Sequence, residues 1–147
     1  MAVVFIGLGS NLGDRAENLR LALEKIGKLP KTHVIQSSTF HETEPVGGPP
    51  QGKFLNGVAR IETFLKPIDL LERLQLIEEE LGRPRERVLW GPRVIDLDLL
   101  DYDGLELKLP GLELPHPRMH ERPFVLIPLA EIAPEWRHPH ADHPKTG

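Results

Sequence analysis

Residues 2–8, AVVFIGL, form an unbroken and partly β-branched apolar run, which predicts a buried central strand. The GSNLGDR that follows predicts a turn and a helix start, with Gly9 and Gly13 supplying unusual backbone angles and Ser10, Asn11 and Asp14 as candidate caps. Leu19, Ala22, Leu23 and Ile26 then fall at helical spacing until GKLP stops the helix near Gly27. A second strand is expected over 34–43 and a third over 54–64, separated by EPVGGPPQGK, a Pro- and Gly-rich loop too long for a tight hairpin. A second helix starts at Pro67, carries Leu70, Leu74, Ile77 and Leu81 on one face, and ends at Gly82. The fourth strand lies in WGPRVIDLDLL, residues 90–100.

The order β-α-β-β-α-β predicts an α+β, ferredoxin-like core: an antiparallel four-stranded sheet with both helices on one face and the other face available for a site. Beyond Tyr102 the pattern breaks into short segments with many prolines, followed by a helix over 123–132. The tail HPHADHPKTG, from about residue 138, has no apolar periodicity and is expected to fray. One domain over 1–147 is expected, without internal repeats.

The absence of cysteine excludes disulfides, thiolate metal sites and cysteine nucleophiles, and suits a reducing compartment. The first apolar run is only a strand long and lacks a basic lead-in, so neither a signal peptide nor a membrane span is expected. These features point to a cytoplasmic protein. A net charge of −4, from 18 basic and 22 acidic side chains, lacks the broad positive footprint of a nucleic-acid binder.

Local charge is more telling. Alternation along a strand puts Asp96 and Asp98 on one face and Ile95, Leu97 and Leu99 on the other. Two carboxylates with Cα atoms roughly 6 to 7 Å apart converge well on hard cations such as Mg²⁺, whose shell phosphate oxygens can complete. Arg83, Arg85, Arg87 and Arg93 precede them, and guanidinium groups grip phosphate bidentately. This combination equips a site for phosphoryl transfer, which needs charge neutralisation and positioning more than covalent chemistry. GLGSNLG lacks the Lys-Ser/Thr ending of a Walker loop and reads as a tight turn. Loops 44–53 and 83–93 are expected to act as lids. Two rivals stay open on the residues alone. Nucleotidyl transfer on a polymerase-like palm suffers from the acidic charge, and a ligand-sensing module leaves the aspartates and arginines unexplained.

Together GLGSNLGD, FLNGV, WGPRVIDLDLL and LPHPRMHERPFVLIPLAEIAP make the chain resemble the 6-hydroxymethyl-7,8-dihydropterin pyrophosphokinases of folate biosynthesis over nearly its whole length. The resemblance implies transfer of the β,γ-pyrophosphoryl group of ATP to the pterin hydroxymethyl oxygen with release of AMP. It also implies a ferredoxin-like core elaborated into an α/β sandwich with C-terminal helical segments. Asp96 and Asp98 would hold two Mg²⁺ ions, and Arg83 and Arg93 would stabilise charge on the migrating group. Phe54 and Phe124 would sandwich the pterin, with Asn56, Thr43, Pro45 and Val46 completing that pocket. The implied ATP residues are Gln75, Glu78, Arg85, Trp90, Arg93, Leu99, His116 and Arg122. Periodicity agrees that Gln75 and Glu78 lie off the apolar stripe of their helix. Departures from the family's pattern are Gly111, Glu113 and Pro117 on the adenine side, with Arg118 as a substitute for the missing charge. His120, His138, His140 and His143 read as surface residues. The expected partners are ATP and 6-hydroxymethyl-7,8-dihydropterin, with neither nucleic acid nor membrane, and the expected state is a monomer.

Overall fold

The computed structural model describes residues 1–45, 50–82 and 93–137. In chain order the elements are β1 (Ala2–Ser10), α1 (Arg15–Gly27), β2 (Thr32–Ser37), β3 (His41–Thr43), β4 (Phe54–Thr63), α2 (Pro67–Glu80), β5 (Asp96–Tyr102), β6 (Leu107–Leu109), β7 (Leu112–Leu114), a 3-10 turn (Met119–Glu121) and α3 (Pro123–Ile132). The main sheet runs β2-β4-β1-β5, with β3 also pairing β4, and every pairing in it is antiparallel. This is the ferredoxin-like order expected from the sequence.

Alternation along β1 explains how the layers form. Val4, Ile6 and Leu8 face the helices and pack with Leu19, Ala22 and Ile26 of α1 and Leu70, Leu74 and Ile77 of α2. Phe5 faces the opposite way and packs with Val58, Leu100 and the α3 residues Val125, Leu129 and Ile132. The second face is therefore not open along its length, as the βαββαβ pattern alone suggested. α3 is apolar on nearly every side and covers one end of that face, leaving the other end for a site.

Three boundaries differ from the sequence reading. The strand expected over 34–43 is split at Ser38, whose N–H still donates to Val58 O at 2.9 Å but whose hydroxyl, not its carbonyl, accepts the Val58 N–H at 2.9 Å, and β3 restarts at His41. Strand 90–100 begins only at Asp96, and its ladder carries an extra residue opposite the Phe5/Ile6 step, which puts both Leu100 and Asp101 on the α3 face. Residues 107–114 form a β6–β7 hairpin in place of irregular segments, turning at Gly111 with φ +80° and burying Leu112 and Leu114 in the helix-side core. The tail from residue 138 lies outside the described residues. No helix among the described residues is long and apolar enough to cross a membrane.

Candidate active site

The uncovered end of the sheet has a floor without side chains. Asp96 of β5 pairs across to Gly9 and Asp98 to Gly7, while Gly9 pairs on its other side with Asn56 of β4. A Cβ at Gly9 would stand 3.0 Å from Asn56 Oδ1, so glycine keeps the space beside the carboxylates clear. Gly9 was expected to serve a turn, but it lies inside β1. The left-handed turn residue is Gly13, φ +69°, followed by Asp14, whose carboxylate accepts the Glu17 N–H at 3.2 Å and caps α1.

Above this floor is a cavity of ≈ 250 Å³. Thr43, Pro45, Phe54 and Asn56 line one side, Phe124 and Arg122 the α3 side, and Arg93, Asp96 and Asp98 the remaining rim. Asn56 Nδ2 donates to Thr43 Oγ1 at 2.6 Å, which fixes the amide's orientation. Arg93 Nη1 donates to Asp96 Oδ2 at 3.0 Å, and its buried Nε has no hydrogen-bond partner among the described residues. The Arg122 guanidinium lies 5.6 Å from the Phe124 ring centroid.

A second cavity of ≈ 380 Å³ opens on the outer side of β5, between α2 and the β6–β7 hairpin. Leu71, Leu97, Leu99, Leu109 and Leu112 make it apolar, while Asp98, Glu113 and His116 give it polar edges. Burial pushes the His116 pKa down to about 4, aided by the Arg122 guanidinium against the pull of Asp96. Its Nδ1 accepts the Arg118 N–H at 3.2 Å, so the neutral ring carries its proton on Nε2 and is a donor there. Asp98 lines both cavities.

The structure thus gathers most of the expected residues and moves some. Phe54, Asn56, Thr43, Pro45 and Phe124 share the first cavity, and Leu99 and His116 the second. Arg93 and Arg122, expected at the nucleotide, line the first cavity, as does Arg118, while Gly111, Glu113 and Pro117 line the second. Gln75 is exposed on α2 one turn beyond Leu71 and lines neither cavity. Glu78 is buried, and its Oε2 accepts the Leu97 N–H at 2.8 Å. Val46, Arg83, Arg85 and Trp90 lie outside the described residues.

Sequence reasoning read Asn11 only as a cap. Its Oδ1 accepts the Arg93 N–H at 2.7 Å, its own N–H donates to Arg93 O at 3.0 Å, and its Nδ2 donates to Gln51 Oε1 at 2.7 Å and Gly52 O at 3.2 Å. One side chain thereby joins the arginine of the site to the end of the Pro- and Gly-rich loop. The local signal, an Asn between Ser10 and a Gly turn, could not reveal partners so distant in the chain.

The donor set can be tested for metal. Among the described residues no group of three or more His, Cys, Asp or Glu could enclose an ion. Two carboxylates over a glycine floor suit Mg²⁺ instead, which keeps waters and takes substrate phosphates as its other ligands.

Two adjoining cavities, one apolar with a histidine donor and one edged by phenylalanines, meet at a carboxylate, an arrangement that suits transfer of a phosphoryl-type group, which depends on positioning and charge neutralisation. Residues 5–134 match the family described as 7,8-dihydro-6-hydroxymethylpterin-pyrophosphokinase (HPPK). A Pseudomonas aeruginosa protein named 2-amino-4-hydroxy-6-hydroxymethyldihydropteridine pyrophosphokinase is 44% identical over 140 residues, 95% of this chain and 86% of its own. A Bacillus subtilis protein of the same name is 48% identical over 130 residues, 88% and 77% of the two chains. The chain belongs to the HPPK family. Its reaction is pyrophosphoryl transfer from ATP to 6-hydroxymethyl-7,8-dihydropterin in folate biosynthesis. Among solved structures, an HPPK-DHPS in complex with substrates superposes with a TM-score of 0.69 at 14% identity, and Plasmodium falciparum HPPK-DHPS with pteroate with 0.70 at 16%. These cover 93% and 97% of this chain but only 41% and 40% of the longer ones, and show the fold alone.

Proposed function

We propose that the first cavity holds the pterin, the second the nucleoside end of ATP, and that the triphosphate passes Asp98 between them. The observation that carries this reading is that Asp98 lines both cavities. Phe54 and Phe124 would stack on the flat ring while Asn56, held by Thr43, hydrogen-bonds its edge. Two Mg²⁺ ions on Asp96 and Asp98 would neutralise phosphate charge. Arg93, whose buried Nε lacks a partner, would place a further positive charge beside the migrating group, and neutral His116 would donate from Nε2 to the nucleotide.

In the transfer, the hydroxymethyl oxygen bonds to the β-phosphorus and the bond from that phosphorus to the α,β-bridging oxygen breaks. The electron pair leaves with AMP and the hydroxyl proton passes to water. Roles for Gln75 at the nucleotide, for Arg83, Arg85 and Trp90 in a closing loop, and for Val46 at the pterin rest on the resemblance. The same reading makes residues 1–147 one catalytic domain, supported by the first cavity drawing on elements from β1 to α3, while the monomeric state and the cytoplasmic location rest on the sequence.

Calorimetry with a non-hydrolysable ATP analogue tests the metal assignment. Mg²⁺ should tighten binding to the intact protein and should lose that effect in Asp98→Asn. Equal affinity with and without Mg²⁺ would remove the aspartates as metal ligands and favour a sensing module.

A further inference from the structure

Outside the cavities, one polar cluster joins two elements that both contribute to the pterin cavity. Glu131, on the last turn of α3, accepts hydrogen bonds from the Thr39 backbone N–H and, at 2.6 Å, from the Thr39 hydroxyl. Its Oε1 also lies 3.2 Å from His41 Nε2, which is 3.1 Å from the same Thr39 hydroxyl. Thr39 stands in the break between β2 and β3, and His41 is the first residue of β3.

A carboxylate at the C-terminal end of a helix opposes the helix dipole, so its position calls for local compensation. The Thr39 donors and then His41 supply it, and they hold the Glu131 carboxyl below the usual range. The placement also matters. Glu131 lies two helical turns beyond Phe124 on the same α3 stripe. β3 ends at Thr43, which lines the cavity opposite Phe124 and is itself bonded to Asn56. Among the described residues β3 is held by its three-residue ladder to β4 and by the 2.8 Å ion pair of Glu42 with Arg15 of α1, and this cluster ties it to α3.

We propose that Glu131, gripping Thr39 and His41, is a positioning residue that sets the width of the first cavity and so the affinity for the pterin ring. The proposal rests on the pterin occupying that cavity. None of the three residues lines it, so they act through Phe124 and Thr43 and not by contact.

Steady-state kinetics with each substrate varied separately test it. Glu131→Ala is expected to raise the KM for the pterin about tenfold, the scale of charge-assisted hydrogen bonds lost, while the KM for ATP and kcat stay within about twofold. Glu131→Gln, which keeps an acceptor for Thr39, should recover part of the loss. Thr39→Val should shift the pterin KM the same way, and the double variant should be no worse than Glu131→Ala alone. If Glu131→Ala fails to fold, Thr39→Val carries the test. An unchanged pterin KM in the folded variants, or a parallel rise in both KM values, overturns the proposal. Phe124→Ala in the same assay separates the two readings. If it raises the pterin KM and the Glu131 variants do not, the clamp falls and the cavity assignment stands; if neither does, both fall.

Discussion

The carboxylate of Glu78 on α2 accepts a hydrogen bond at 2.8 Å from the backbone N–H of Leu97, the residue between Asp96 and Asp98. Among the described residues β5 is the last strand of its sheet, so an N–H on its outer side has no neighbouring strand there to bond. A buried side chain from the adjacent helix supplies the missing acceptor at the point where the two aspartates are held.

Glu78→Ala should therefore strand a buried N–H and lower stability by about 1–3 kcal/mol. Turnover should fall with it, because Asp96 and Asp98 lose the support that sets their spacing, whereas Glu78→Gln keeps an acceptor and should restore most of both. Urea denaturation and kcat measure the two effects. Unchanged stability with only the KM for ATP raised would show that Glu78 touches the nucleotide instead.

What could be read from the chain depends on how local the information is. α2 was legible because Leu70, Leu74 and Ile77 make one stripe between Pro67 and Gly82. Asp96 and Asp98, and likewise Phe54 and Asn56, share a face because strand alternation needs no knowledge of neighbours. The β2–β3 split was not legible, since it depends on Ser38 bonding Val58 from another strand. Nor was the β6–β7 hairpin, whose three-residue strands show too little alternation to stand out. The burial of Glu78 escaped for a related reason: helical periodicity can place a residue beside the apolar stripe but cannot say that a strand end lies against it. Asn11 reaches across 40 residues to Gln51 and 82 to Arg93, distances at which sequence pattern carries no signal.

Asp96→Ala and Asp98→Ala should each lower turnover by at least about 100- to 1000-fold while leaving the fold intact, since on the proposed reading these groups would hold the metals that neutralise phosphate charge. AMP formation measures the loss and thermal melting followed by circular dichroism checks the fold. Near-normal turnover in either folded variant would end the metal assignment. Asp96→Ala has a second expected consequence, because it also releases Arg93 Nη1 from its 3.0 Å partner.

Asn11→Ala should uncouple Arg93 from the end of the 44–53 loop. The variant loses the acceptor for the Arg93 N–H and both donors to Gln51 and Gly52. A fall in kcat of about tenfold or more is expected, with the KM for both substrates raised, because misplacement of site groups by about 1 Å costs on that scale. Asn11→Asp keeps only the acceptor for Arg93, so it should preserve kcat better than either KM. If the two variants behave alike, the acceptor for the Arg93 N–H contributes nothing; if Asn11→Asp matches the parent, the Gln51 and Gly52 bonds contribute nothing.

His116 gives the protein a pH signature with a definite sign. Its folded pKa is pushed down to about 4 from an ordinary value of 6.5, by burial and then by Arg122. Between those values the unfolded chain binds a proton that the folded protein does not. The contribution to stability is therefore fully present above pH 6.5 and is lost as pH falls toward about 4. Protonation would also put an N–H on Nδ1 facing the Arg118 N–H, which now donates to it at 3.2 Å. Substitution by Asn, which does not titrate, should flatten this part of the profile. Denaturant unfolding of both proteins at pH 7.5 and pH 4.5 checks it: the stability lost between the two conditions should be larger for the parent than for His116→Asn, with other carboxylates contributing equally to both. Identical losses would mean that the ring is not held neutral. Because the ring stays neutral down to about 4, the KM for ATP should show no histidine transition between pH 7.5 and pH 5. A transition near 6.5 that disappears in His116→Asn would instead show a solvated His116 that burial does not perturb.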